Sequence, residues 1–226
     1  MTKNNTPTLE YQKATEYIYQ LIRDGSLTIG SRIPSERDIS ETLGIGRNST
    51  REALSIMRGM GLIESVHGSG NYISKDCGRS IWSILSIMLS LGTISVRDIM
   101  ECRRVLAKAV IDLIFNCGLT PDEKAHLEDI LTGMEHATEE ELILLDQEYH
   151  ITLIRATKNP LFITVIQAIA EICNETMSKV LTNSTQETKD KFLFLHRNIY
   201  SSIVQNEKET CLQHLSSHYD LAESYL

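Results

Sequence analysis

The sequence predicts a mostly α chain: an N-terminal winged helix-turn-helix followed by an all-α antiparallel helical bundle. Three observations lead there. The first 75 residues read as helix, helix, turn, helix and a two-stranded hairpin. From about residue 79 onward the chain carries helical periodicity and no strand signal. The charge divides at the same place: residues 1–78 hold nine Lys plus Arg against nine Asp plus Glu, and the rest holds 13 against 21, the whole of the net −8. Charge asymmetry of this kind suggests two parts with different partners. The expected division is 1–75, a linker at 76–79, and 80–226.

Each element has its own signal. In residues 9–24, Tyr17, Ile18 and Leu21 share a face, and Gly25 ends the helix. Ser35 with Asp38 three residues on has the spacing of an N-cap and its acidic partner. The short helix it opens ends near Gly44. The next begins between Gly46 and Ser49, where Ser49-Thr50-Arg51-Glu52 has capping-box spacing, and ends near Gly61. LIESVHGSGNYIS then alternates apolar and polar residues around a Gly-rich turn, as a hairpin does. IWSILSIMLSL, residues 81–91, is too short for a membrane span, and its serines suit a core helix. Helical periodicity continues through 95–117, 121–137, 139–157, 160–182, 188–206 and 207–225. The breaks are Gly118, the Lys158-Asn159-Pro160 corner and the polar stretch TNSTQET. Short breaks between long amphipathic helices predict an antiparallel bundle.

Composition narrows the function classes. Hydrophobic content of 42% is ordinary for a soluble globular protein. MTKNNTPTLE has no apolar signal region, so a cytoplasmic location with no membrane partner is expected. The five cysteines, Cys77, Cys102, Cys117, Cys173 and Cys211, are odd in number, scattered and without a CxxC pair, and read as reduced thiols.

The run RIPSERDISETLGIGRNSTREAL, residues 32–54, concentrates arginines in an otherwise acidic chain. A helix-turn-helix inserts the N-terminal end of its second helix into the DNA major groove. That end carries Arg47, Asn48, Ser49 and Arg51, and Arg37 lies at the start of the preceding helix. Arginine presents a two-pronged donor to guanine and asparagine does so to adenine. Hydroxyls and helix N-termini suit phosphates. The acids Asp38, Glu41 and Glu52 fit on other faces, so local neutrality does not exclude a basic surface. The alternative for these arginines is a solvated helix face. The run from Gly30 to Ser74 closely resembles the winged-helix domain of the GntR family of bacterial transcription regulators. PSERDIS, the glycine-arginine start of the recognition helix, REAL, MGLIES and HGSGNYIS carry the resemblance. It implies that Arg37, Arg47 and Arg51 contact DNA and that His67 and Gly68 in the wing reach the minor groove. Gly46 departs from the family, which usually has a serine or threonine N-cap there.

In the helical part, polar groups fall inside apolar arcs. Over 142–154, Asp146 and His150 lie within the arc of Leu142, Leu145, Tyr149 and Leu153, one turn apart on one side. His196 sits in the middle of the arc of 192–204; His218 flanks that of 211–222, with His214 one step further out. Buried ionised groups need a partner or a metal. Imidazole nitrogen and carboxylate oxygen suit zinc, nickel, iron or manganese. The alternative for any one of these histidines is a hydrogen-bonded core residue. In 95–115, Glu101, Arg104, Lys108 and Asp112 form a polar face, while Arg103 points among apolar side chains, as a buried ion pair or as a fork for a carboxylate ligand.

Residues 96–220 look like the FCD ligand-binding domain of the FadR-like branch of GntR regulators. ECRRVL, DQEYHITLIRATKNPLF and HRNIYSSIVQNEKETCLQHLSSH carry this resemblance. It implies a divalent metal, zinc as purified or else nickel, manganese or iron, on Asp146, His150, His196 and His218. It also implies an effector carboxylate on Arg103. Tyr149, where the family often has Phe, and Ala107, where it often has Glu, are departures. The expected function is a dimeric, ligand-responsive regulator on a palindromic operator, with a small organic acid as effector, and no enzyme. Repression relieved by ligand is the commoner family behaviour. The alternatives are a metalloenzyme or a metal-only sensor on the same helical domain; no HExxH motif and no evident general base support the former.

Overall fold

The computed structural model describes residues 9–76 and 78–225, the side chain of Glu175 excepted. The chain divides into two compact units after Ser80. The reading of the first eight residues and of Cys77 lies outside the described residues. The other four cysteines are free thiols, Cys173 and Cys211 buried, Cys102 and Cys117 exposed.

The first unit contains α1 (Glu10–Arg23), α2 (Glu36–Leu43), α3 (Arg47–Gly59), β1 (Ile63–Val66) and β2 (Gly70–Ile73). Ala14, Ile18, Ile39, Ala53, Leu54 and Met57 are fully buried at its centre. Helix α2 starts where expected: the Asp38 N–H donates to Ser35 Oγ at 3.2 Å, and the Ser35 hydroxyl and N–H donate to Asp38 Oδ2 at 2.7 and 3.2 Å. Gly44 stops it with φ 65°, a conformation that a Cβ disfavours. The Ser40 and Thr50 hydroxyls meet at 2.9 Å in the interior and tie α2 to α3. Helix α3 corrects one expectation. Its N-cap is Gly46, and Ser49 is already helical, so the Ser49–Glu52 spacing caps nothing. β1 and β2 pair antiparallel, Ile63 opposite Ile73 and Val66 opposite Gly70. The segment before α2 lies along β2, with Ile33 N–H donating to Asn71 O at 2.9 Å.

Helix α4 (Gly78–Ser90) takes up two residues of the expected 76–79 linker. It also corrects the core-helix expectation, since none of its residues is buried. Leu85 and Leu89 pack on the bundle, but Ile84, Ile87 and Leu91 stay 59–72% exposed. A helix that is apolar on more than one face has one face applied to this chain and the others left over.

The bundle proper is α5 (Val96–Cys117), α6 (Pro121–His136), α7 (Glu139–Ala156), α8 (Pro160–Asn183), α9 (Gln186–Val204) and α10 (Lys208–Glu223). Ser95–Asp98, Thr120–Glu123 and Thr138–Glu141 form capping boxes, and Asn159 Oδ1 caps α8. Each such cap stabilises its helix by about 1 kcal/mol. The TNSTQET break is shorter than its composition suggests: only Ser184 and Thr185 lie between α8 and α9. Two apolar clusters fill the bundle. One gathers Met100, Ile111, Met177, Phe192, Ile199 and Leu215; the other gathers Ile114, Leu127, Leu131, Tyr149, Leu153 and Ile166.

Gly44→Ala is expected to lower the stability of the first unit by about 1–2 kcal/mol, the cost of a Cβ in a left-handed conformation. Nothing lies within 4 Å of the added Cβ, so sterics beyond the backbone add little. Amide exchange of α2 and α3 against urea measures this; unchanged protection would refute the strained-turn reading.

Candidate metal centre and nucleic-acid interface

Helix α7 carries Asp146 and His150 one turn apart, α9 carries His196, and α10 carries His218. One ligand atom from each lies within 4.8 Å of every other. Donors at about 2.0–2.2 Å around a single ion stand at most about 4.4 Å apart, so small side-chain shifts would close the set. Asp146, His196 and His218 are buried, and the His150 side chain is only 11% exposed. Asp146 Oδ1 is 3.5 Å from His196 Nε2 and 3.9 Å from His150 Nε2. Neither approach has hydrogen-bond geometry. His150 Nε2, His196 Nε2 and both ring nitrogens of His218 are therefore buried without a hydrogen-bond partner. Three imidazoles with unpartnered nitrogens around one carboxylate form a donor set that a divalent cation could take up. The backbone between them is fixed: the Tyr149 phenol donates to His196 O at 2.9 Å and locks α7 against α9.

The electrostatics suit a cation. Burial first, then the Arg103 charge, pushes the His196 imidazole down to about 3. His150 and His218 are driven well below the usual range, chiefly by burial. Three neutral imidazoles thus offer lone pairs at neutral pH. Burial raises the Asp146 carboxyl to about 6, opposed by Arg103, so it is still mainly ionised near pH 7.

Arg103, on α5, is 7% exposed. Burial opposes its charge, but Tyr219, Cys173 and Asp146 around it hold the guanidinium protonated. Among the described residues no carboxylate reaches ion-pair distance, so the buried ion pair is not what Arg103 makes. Its neighbour Arg104 does pair, with Asp220 at 2.7 Å and Glu223 at 3.3 Å. Arg103 and His150 line one small cavity of about 30 Å³. A far larger groove, about 1100 Å³, opens across Arg97, Glu101, Arg104 and Lys179. Several of its charged groups are paired, whereas the small cavity is lined by the Arg103 guanidinium and by His150, whose Nε2 has no hydrogen-bond partner. His214, half-buried, is not in the cluster.

In the first unit, Arg37, Arg47, Asn48 and Arg51 are exposed, as are His67 and Gly68 at the hairpin turn; Ser49 is half-buried. Arg37, Arg47 and Arg51 line a concave surface of about 690 Å³ together with Arg32 and Asn71. Sequence reading missed Arg32; its pairing with Tyr72 beside the wing is a tertiary fact without a local signal. Arg51 is held by Glu36 at 3.0 Å and Arg37 by Glu41 at 2.8 Å, both in solvent. Ion pairs so exposed are weak and yield readily to a phosphate. The missing hydroxyl at Gly46 is answered from 36 residues away: Glu10 Oε2 accepts from Gly46 N–H at 3.1 Å and from the Ser49 hydroxyl at 2.8 Å. Those two bonds hold the Glu10 carboxyl below the usual range. They also explain why Ser49 points inward to α1.

Two family models match the chain. "Bacterial regulatory proteins, gntR family" covers residues 10–73, and "FCD domain" covers 98–221. The Glc operon transcriptional activator of Escherichia coli (strain K12) is 26% identical over 198 residues, 84% of this chain and 78% of that protein. The HTH-type transcriptional regulator LutR of Bacillus subtilis (strain 168) is 25% identical over 214 residues, 91% of this chain and 97% of that one. The solved structure of Streptococcus agalactiae GntR superposes with TM-score 0.72 over 95% of this chain and 99% of that one, at 23% identity, which establishes the fold.

Glu10→Ala is expected to speed amide exchange at Gly46 and in the first turn of α3 several-fold, with α5–α10 unaffected. Hydrogen exchange read by NMR tests it. Unchanged exchange at Gly46 would show that solvent caps α3 equally well.

Proposed function

The chain belongs to the GntR family of bacterial transcription regulators, in the group with an FCD domain, and on that premise we propose that it is a dimeric, metal-loaded, ligand-responsive regulator of a palindromic operator. It is a transcription regulator and not an enzyme, as are the relatives it matches. The observation that carries the finer reading is the set of orphaned imidazole nitrogens around a buried carboxylate.

Asp146, His150, His196 and His218 would hold a divalent ion. When bound, such an ion supplies positive charge and open positions for oxygen ligands. Arg103 contributes a second, fixed cation to the same cavity and would orient the carboxylate of a small organic acid. Tyr149 packs against the His150 and His196 rings and, with the aliphatic side chains near Arg103, would keep water from the ion. At the other end of the chain, Arg37, Arg47, Asn48, Ser49 and Arg51 would read one half-site, with His67 and Gly68 of the wing in the minor groove. Arg47 has no ion-pair partner among the described residues, which leaves it best placed for a base edge. Two copies would be needed for a two-fold symmetric operator. Effector binding would then act as a ligand that favours one relative placement of the reading heads over another.

Two results follow. Arg47→Ala should weaken cognate DNA binding by about 1–3 kcal/mol if it makes a bidentate base contact. Equal weakening on scrambled DNA, measured by fluorescence anisotropy, would reassign it to phosphate. Zinc should raise the melting temperature of the chelator-stripped protein by several degrees, as a native-state ligand must. Asp146→Ala with His196→Ala should abolish that rise and the metal mass in native mass spectrometry. A rise that survives both substitutions would move the metal elsewhere.

A further inference from the structure

The concave surface of the first unit is lined by α2 and α3 on one side and by β2 on the other. Three of its arginines spring from helices; the fourth, Arg32, does not. Residues 30–33 run antiparallel along β2. Gly30 N–H donates to Ile73 O at 3.0 Å, Ile73 N–H to Ser31 O at 2.9 Å and Ile33 N–H to Asn71 O at 2.9 Å. Ile33 is buried, so strand alternation turns Arg32 outward. There its guanidinium lies over Gly70: a Cβ on that residue would stand 3.3 Å from Nε and 3.5 Å from Nη2. Gly70 has φ 120°, a glycine conformation, and its bare Cα lets the guanidinium come this close. Arg37 and Arg51 are engaged by Glu41 and Glu36. Arg32 is exposed and has no ion pair or side-chain hydrogen bond among the described residues. In register, Tyr72 stands between it and Glu64, the acid of that sheet face.

From this placement we propose that Arg32 forms a phosphodiester site at the foot of the wing, gripping one phosphate of the DNA backbone and reading no base. The inference rests on the reading that this concave surface receives DNA. An arginine laid against a strand is not extended toward the groove floor. It sits at the rim, where a duplex presents phosphates before base edges. The guanidinium fork matches two oxygens of one phosphate. Its anchor is β2 and not a helix, so the contact would seat the wing, while Arg47 on α3 is left to the base edge.

The test needs no known operator. A duplex selected by the wild-type chain from a random-sequence library is compared with a scrambled duplex of equal length. Affinity is read by fluorescence anisotropy as salt rises from about 50 to 200 mM. The variants are Arg32→Gln, Arg32→Lys and Arg23→Gln, the last an equal change of charge on α1 outside the concave surface. Arg32→Gln is expected to weaken both duplexes by the same factor. It should also reduce the slope of log K against log salt by about 0.9 for each chain bound, so that the wild-type advantage shrinks about 3.5-fold per chain over that range. Arg32→Lys should keep the slope, because a point charge still meets the phosphate. Arg23→Gln should leave the slope unchanged. If Arg32→Gln matches Arg23→Gln while Arg47→Ala still weakens binding, this inference is overturned and the reading surface stands. Weakening confined to the selected duplex would overturn it in favour of a base contact. If Arg47→Ala changes neither duplex, or the wild-type chain selects none, the surface does not receive DNA and both readings fall.

Discussion

The helical unit is organised around ionisable groups that have been taken out of water. Arg103 from α5, Asp146 and His150 from α7, His196 from α9 and His218 from α10 occupy positions where a bundle would ordinarily place leucine. A buried polar group without a hydrogen bond costs about 1–3 kcal/mol, and several are present together. An apolar replacement of similar volume would make the better core. The arrangement is therefore intelligible as a binding centre and not as a stabilising one. The rest of the bundle supports it. Tyr149 beside His150 belongs to one apolar cluster and Tyr219 beside His218 to the other, so both cores anchor the polar groups between them. The capping boxes at Ser95, Thr120 and Thr138 add local stability that such a centre takes away.

The first unit solves a different problem, that of a reading surface in a segment with no net charge. The acids are not merely tolerated; they are placed. Glu36 and Glu41 hold Arg51 and Arg37 in defined positions on the concave surface, through pairs weak enough to exchange for phosphate. Asp38 is turned back onto Ser35 as a cap. Glu10 is spent on the start of α3. Neutrality by count thus coexists with arginines facing outward, because Glu10, Glu36, Asp38 and Glu41 are tied to structural tasks within one turn of their residue or across a helix pair.

What the sequence made legible is what has a local period. The i, i+4 placement of Asp146 and His150, the centring of His196 in its arc and the inward Arg103 are all readable from 100° steps, and the structure brings Asp146 and the three histidines together. What has no local period stayed hidden. Glu10 capping Gly46 spans α1 to α3, and Arg32 beside the wing depends on strand pairing. Ser49 shows the converse failure: its spacing to Glu52 imitates a cap, but Gly46 starts the helix one turn earlier and Ser49 is drawn to Glu10. Helix α4 misled for a third reason. Hydropathy reports that a segment avoids water, not which molecule covers it, and here this chain covers only one face. The size of the cavity beside Arg103, set by side chains from several helices, was likewise out of reach.

The separation of charge between the units follows from these two tasks. A polyanion attracts every basic surface, and the attraction is insensitive to sequence. Confining the acidic excess of −8 to residues 79–226 makes the helical unit repel DNA, so only the first unit is attracted to it. Within the helical unit the same excess is external. Its interior, among the described residues, holds one buried cation, Arg103, and one mainly ionised carboxylate, Asp146, with neutral imidazoles beside them. An acidic exterior slows an anion's approach, whereas the buried guanidinium of Arg103 would strengthen an anion's contact in the low dielectric of the interior. The exterior therefore sets what the protein avoids and the interior what it holds, and the two are independent because a bundle's inner and outer faces are specified by different residues of the same helices.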